Sequence, residues 1–285
     1  MNQEQIVDII IKTINTIITN IFSSVDNSIF EILDDITFID NGILTNSYFE
    51  KLLGANGKTG LLYLADAMLA SILIFYVVRF YYSNITDRNV EKPSQFLFKV
   101  IIFAILINFS YFLFEQILNI SGLITSGIQE IGKDVIHQDI SFSNLIVFLN
   151  KKLNADADFN LFSFNGILKS FISFGLMNLL FTYSLRYVIF QVLILFCPFA
   201  ILCLINTSTA WIFKTWAKCL FSLLILQFFI AIIIILIFCI DGNNILLIGG
   251  IYALMRINSY VREMFGGLSI DVSGNFNSMM SFMKR

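Results

Sequence analysis

Polar side chains vanish over long stretches of this chain. Cys219 to Ile240 is 22 residues without a charge, and only Ser222 and Gln227 are clearly polar. At about 1.5 Å per residue such a helix is long enough to cross the roughly 30 Å hydrocarbon core of a bilayer. Similar runs predict spans from about 61 to 81 and from about 97 to 118. From Ile167 to Ile205 the chain is again apolar, broken by Lys169 and Arg186. That stretch reads either as two spans, about 164–184 and 187–206, meeting at a turn around Arg186, or as one long kinked crossing. Ile245 to Met255 makes only about 16 Å of helix, with Gly249 and Gly250 in its middle as a possible hinge. It is either a re-entrant half-helix or the apolar start of a crossing completed by the residues after Arg256. The expected fold is all-α, a polytopic transmembrane helical bundle of about five crossings.

Residues 1–59 follow a different pattern. Polar residues recur every few positions, while Val7, Ile11, Ile14, Ile18, Ile21 and Val25, flanked by Ile10 and Ile17, alternate spacings of four and three. That is one apolar face of an amphipathic helix. Its polar face is poor in Lys and Arg, which favours burial against protein over a lipid surface.

Composition fits the same solvent. Apolar residues make up 57% and charged residues 13% of the chain, against about 45–50% and about 25% in soluble domains. The opening residues lack the basic stretch of a cleavable signal peptide, so insertion is expected to use the internal segments. Arg79, Arg88, Lys92 and Lys99 gather around Pro93 between the first two spans, which the positive-inside rule puts in the cytoplasm. Acidic residues in 1–59 and in 119–160 agree with an extracytoplasmic location for both. The expected organisation is therefore an extracytoplasmic region 1–59, a bundle over 60–263 containing the extracytoplasmic segment 119–160, and a cytoplasmic tail 264–285. The N-terminus is outside and the C-terminus inside.

Several chemistries are poorly served by these residues. One histidine, His137, and four scattered cysteines in apolar surroundings argue against zinc, haem and redox chemistry. No cofactor or metal is expected, and no catalytic constellation; the chain reads as a non-enzyme. Residues Gly54 to Thr59 look superficially like a phosphate-binding loop but lack its spacing. With 18 basic and 20 acidic residues the balance is near neutral, and sequence-specific nucleic-acid contact is not expected.

Ionisable residues inside spans are the candidates that remain. Asp66 and Glu115 lie about one turn from the expected outer ends of their helices; they either reach the interface as ordinary polar ends or, in a ring of subunits, line an acidic outer mouth. Arg186 is a cytoplasmic anchor in the two-span reading and a deeply buried cation in the long-helix reading. Asn108 and Ser110 fall mid-span, suited to hydrogen bonds between helices. Pro198 introduces a kink, and Trp211 and Trp216 with Lys214 and Lys218 mark a membrane boundary.

The run CPFAILCLINTSTAWIFKTWAKCLFSLLILQ is similar to the central signature of the TrbL family, which includes the sixth VirB protein, polytopic inner-membrane subunits of type IV secretion and conjugation systems. The positions that carry the likeness are Pro198, Thr209, Phe213 and Trp216, leading into the apolar helix after Leu220. The resemblance covers roughly 35 residues; the rest of the chain matches in layout only. It implies a channel subunit in a homo-oligomeric ring, with other secretion-machine subunits including separate ATPases, passing a DNA-protein or protein substrate. The alternatives from the residues themselves are a small-solute secondary transporter or another pore-forming membrane protein.

Overall fold

The computed structural model describes residues 6–7, 9–10, 12–13, 16, 27–54, 60–86, 91–153, 164–240 and 244–265. Among these, all regular structure is helical: α1 Asn27–Thr37, α2 Ser47–Leu53, α3 Leu61–Thr86, α4 Pro93–Asn108, α5 Ser110–Ile136, α6 Phe142–Leu153, α7 Phe164–Leu202, α8 Ala210–Cys239 and α9 Asn244–Phe265, with a 3-10 turn at Asn41–Ile43. The expected all-α class holds. Of the amphipathic N-terminal pattern, Val7 and Ile10 are helical and exposed; Ile11, Ile14, Ile17, Ile18, Ile21 and Val25 lie outside the described residues, as do 55–59 and 266–285.

Among the described residues, three helices are long and apolar enough to cross a membrane: Leu61–Ser83, Ser170–Leu202 and Ala210–Cys239. A fourth span results if α4 and α5, bent by 54° at Phe109, are counted as one. Five crossings were expected, and two local features account for the difference. The expected second span is interrupted where polar side chains bind the helix's own carbonyls: the Ser110 hydroxyl donates to Ile107 O at 2.6 Å and Asn108 Nδ2 to Ala104 O at 3.0 Å. Side chains competing for backbone acceptors are a common cause of such bends. The glycine-containing segment continues as α9, whose polar second half keeps it from reading as a span. As for 164–206, α7 is one continuous helix with Pro198 inside it, so the single long helix is the form adopted.

The chain packs as two compact units. Unit 1 comprises Met1–Ile39, Leu123–Tyr187 and Ser222–Arg285; unit 2 comprises Asp40–Gly122 and Val188–Phe221. The segment 119–160 supplies the end of α5 and all of α6, and Leu145, Ile146 and Leu149 of its apolar run are part of the core, with Val147 exposed.

In unit 1 the core is built from Leu33 of α1, Phe142, Leu145 and Leu149 of α6, Leu179 and Tyr183 of α7, Ile230, Ile234 and Ile237 of α8, and Ile251 and Leu254 of α9. Close approach of α8 and α9 depends on Gly250, where a Cβ would collide with the Ile237 side chain. Small residues serve helix packing in this way inside membranes, where no hydrophobic drive pulls apolar helices together. α9 is helical through Gly249 and Gly250, so the pair acts here as a packing notch on one side: a Cβ at Gly249 would meet open space.

In unit 2, α2 is capped at both ends. Asn46 Oδ1 accepts from Tyr48 N, and Gly54, at φ 87°, closes the C-terminus by donating to Glu50 O. Pro93 opens α4, where its fixed φ suits the first turn and its missing N–H is not needed. α3 pairs with α4 through Tyr76, whose ring stacks on Phe96 at 3.7 Å and whose hydroxyl donates to Glu91 O.

Candidate functional site

Arg186 is fully buried. Wherever a 20-residue span, the length a bilayer needs, is laid within Ser170–Leu202, it includes Arg186; the same holds for Leu223 and Gln227 within Ala210–Cys239. Arg186 thus lies inside a single helix that by length and composition is a candidate span, as in the long-helix reading. Its Nη1 donates to Thr37 O at 2.9 Å and its Nη2 to Leu223 O at 2.6 Å.

Thr37 ends α1, and carbonyls at a helix C-terminus lack intrahelical donors and carry partial negative charge. A guanidinium suits such an end on both counts. Next to it, Ile39 N donates to Oε1 of Gln227, itself fully buried, at 3.1 Å. A donor and an acceptor thus link the end of α1 with α7 and α8: the guanidinium donates to an orphan carbonyl, and the Gln227 amide oxygen accepts from an orphan N–H. Non-helical backbone at membrane depth is tolerated only when protein or water satisfies it in this manner. Tyr183, one turn before Arg186, donates its hydroxyl to Leu254 O of α9 at 3.1 Å.

At the other side of α1, Asp34 caps a second helix. Its carboxylate accepts from Phe142 N at 2.6 Å and from Ser143 N and Oγ at 3.3 Å, while Ser141 Oγ accepts from Asn144 N. The first three N–H groups of α6 are thereby satisfied. Burial pushes the Asp34 carboxyl above its ordinary value of 3.8, and the hydrogen bonds from Phe142 and Ser143 oppose that rise.

Unit 2 holds the acidic candidates. Asp66, half-buried, lines an open cavity of about 410 Å³ with Tyr63, Asn108, Phe109, Tyr111 and Phe112, and Asn108 Nδ2 donates to Asp66 Oδ1 at 3.4 Å. Asn108 thus makes a bond between helices, whereas Ser110 binds within its own chain turn. Glu115 does not line this cavity; with Glu50 it lies near the Tyr111 hydroxyl. No group of three or more His, Cys, Asp or Glu side chains suited to a metal ion occurs among the described residues.

The four motif positions converge on the turn between α7 and α8. Pro198 is buried in the penultimate turn of α7. Thr209 Oγ1 donates to Cys203 O at 2.7 Å, closing the turn; Trp216 Nε1 donates across to Leu193 O at 2.9 Å, and its ring contacts Phe213 and Phe114. Trp211, in contrast, is exposed. The partners of Arg186, Gln227 and Asp34 were not visible in the sequence; the signals were Arg186 and Gln227 themselves, polar side chains in otherwise apolar runs.

No family model, curated protein or solved structure matches this chain. Length and composition of its helices nevertheless define its class, an all-helical, multi-pass integral membrane protein.

Proposed function

We propose that this multi-pass protein is a channel or scaffold subunit of a type IV secretion or conjugative DNA-transfer machine, helping a DNA-protein or protein substrate cross the cytoplasmic membrane. The observation that supports this reading is the hairpin at the end of α7. Pro198, Thr209, Phe213 and Trp216, the positions that carry the likeness to the TrbL family, lie at the turn between two candidate spanning helices, which Thr209 closes and Trp216 locks. The subunit sits N-terminus out and C-terminus in, performs no catalysis, and draws energy from separate ATPases. Copies assemble as a ring, for which the poorly covered α3, only 17% buried along its most apolar stretch, offers a large apolar surface.

Deleting the gene in a donor cell tests the role directly: donor-to-recipient transfer should fall to background and return on complementation. Purification from native membranes in mild detergent should bring a secretion ATPase and coupling protein along. Intact transfer in the deletion strain overturns the proposal. One observation favours a second reading, a small-solute secondary transporter: the bent α4–α5 pair beside the Asp66 cavity has the broken-helix character of solute sites. Substrate-dependent uptake by the purified protein alone in proteoliposomes would decide for it.

A further inference from the structure

The cavity beside Asp66 lies wholly within unit 2 and brings together two features. The first is a carboxylate that no cation of this chain meets. Among the described residues the ion pairs are Lys99–Glu91 and Lys133–Asp139, and no Lys, Arg or His is among those that line the cavity. The bond to Asp66 from Asn108 Nδ2 is long, at 3.4 Å. A carboxylate within a candidate span, here Leu61–Ser83, is costly and marks a ligand or ion path by default. Glu50 and Glu115, near the hydroxyl of the lining residue Tyr111, add to the negative charge.

Aromatic surface is the second feature. Tyr63, Phe109, Tyr111 and Phe112 line the same space. The rings of Phe109 and Phe112 stand at 70° with centroids 5.3 Å apart, and both residues are about half exposed. An aromatic face attracts a cation through its quadrupole and also receives apolar carbon. Asn108 uses its amide nitrogen on Ala104 O and Asp66 Oδ1, which leaves its amide oxygen as an acceptor. The volume, about 410 Å³, falls within the range of small-molecule sites, about 300–1,000 Å³.

We propose that this cavity binds a primary organic ammonium ion on an apolar stem, the ammonium against Asp66 and Asn108 and the stem against Phe109 and Phe112. A ligand that also carries an anionic group is rejected, because the lining offers it no cation and Glu50 and Glu115 repel it. Simple amines are thereby separated from amino acids and from the phosphate-bearing headgroup of phosphatidylethanolamine. The site does not depend on the transfer role; it gives the solute reading of the cavity a ligand class.

The test is equilibrium dialysis of radiolabelled phenethylammonium against the full-length protein in dodecyl maltoside, with empty micelles as the blank for partition into detergent. Binding should saturate. Three competitors should fail to displace the label: phenylalanine, which adds a carboxylate; 2-phenylethanol, which replaces the ammonium by a neutral hydroxyl; and phosphatidylethanolamine added to the micelles. Asp66→Asn should weaken binding about tenfold or more, the effect of losing a charge-assisted hydrogen bond. Phe112→Leu should weaken it about threefold, that of a cation–π contact at an open site. Absence of saturable binding, or undiminished affinity in Asp66→Asn, overturns the proposal. Displacement by 2-phenylethanol overturns it as well, since the cavity is then merely apolar, and displacement by phenylalanine or phosphatidylethanolamine overturns the rejection of an attached anion. These wild-type competitions carry the test if Asp66→Asn does not fold, and none of them bears on donor-to-recipient transfer.

Discussion

In unit 1 the polar contacts of Asp34 with Phe142, Arg186 with Thr37 and Gln227 with Ile39 join residues 108, 149 and 188 positions apart. In unit 2 those of Thr209 with Cys203, Trp216 with Leu193 and Asp66 with Asn108 join residues 6, 23 and 42 apart. Both units are made of apolar helices, yet these side-chain bonds of unit 1 reach farther along the sequence than that of Tyr111 with Leu44, 67 positions apart, in unit 2. Closing a longer loop costs only about 0.6 kcal/mol per doubling of its length, so entropy alone does not forbid the long-range ties. The ties differ instead in what must already be in place: a hairpin needs only two consecutive helices, whereas α1 needs helices that come far later in the chain.

That contrast can be broken most severely at Arg186. Arg186→Glu places a second negative group against Thr37 O and Leu223 O, a buried unpaired charge that costs about 3–5 kcal/mol or more. The fraction of protein extracted as a monodisperse species should collapse, while Arg186→Lys should retain part of it. A smaller effect is expected where α8 and α9 meet. Gly250→Ala should destabilise by about 1–3 kcal/mol through overpacking against Ile237, whereas Gly249→Ala, facing open space, should be neutral or gain up to about 1 kcal/mol in helix propensity. Thermal unfolding of the pair reads the difference, and equal behaviour of the two glycines would contradict the packing.

Asp34→Ala removes a cap and should cost about 1 kcal/mol. The charge itself sharpens the point. Because the folded-state pKa of Asp34 is raised, the folded form takes up a proton more readily than the unfolded one. This group's contribution is therefore fully present below 3.8 and is lost as pH rises through the raised folded value. Wild type should gain stability relative to Asp34→Asn as pH falls from 7 toward 4; a difference independent of pH would contradict this. The smallest effect is expected in unit 2. Trp216→Phe loses the bond to Leu193 O and keeps the ring contacts, for about 0.5–1.5 kcal/mol, and proteolysis of the turn at 203–209 should quicken with little change at α1.

Much of this was legible beforehand. The apolar runs at 61–81 and 219–240 gave their helices directly, since a bilayer accepts only backbone that satisfies itself and long uncharged stretches leave the helix as the solution. The motif positions Pro198, Thr209, Phe213 and Trp216 pointed to a boundary between two helices, and that is where they act, because the contacts are short in sequence. Less was legible at 97–118, where hydropathy averaged over the run conceals two side chains that bend it, Asn108 and Ser110. Nor could spacing assign Gly250 its role, because a helix interior tolerates glycine for packing as well as for hinging.

By itself, then, the order of residues determined the solvent, the helical class and the local hairpin, each a property of neighbours along the chain. The tertiary structure decided that 164–202 is one helix, that α1 ends against Arg186 and Gln227, and that Asp34 caps α6. The physical reason is common to all three. A lone arginine in an apolar run is expensive unless backbone carbonyls or an opposite charge reach it, and only the folded chain shows that the end of a helix 149 residues away in sequence does so.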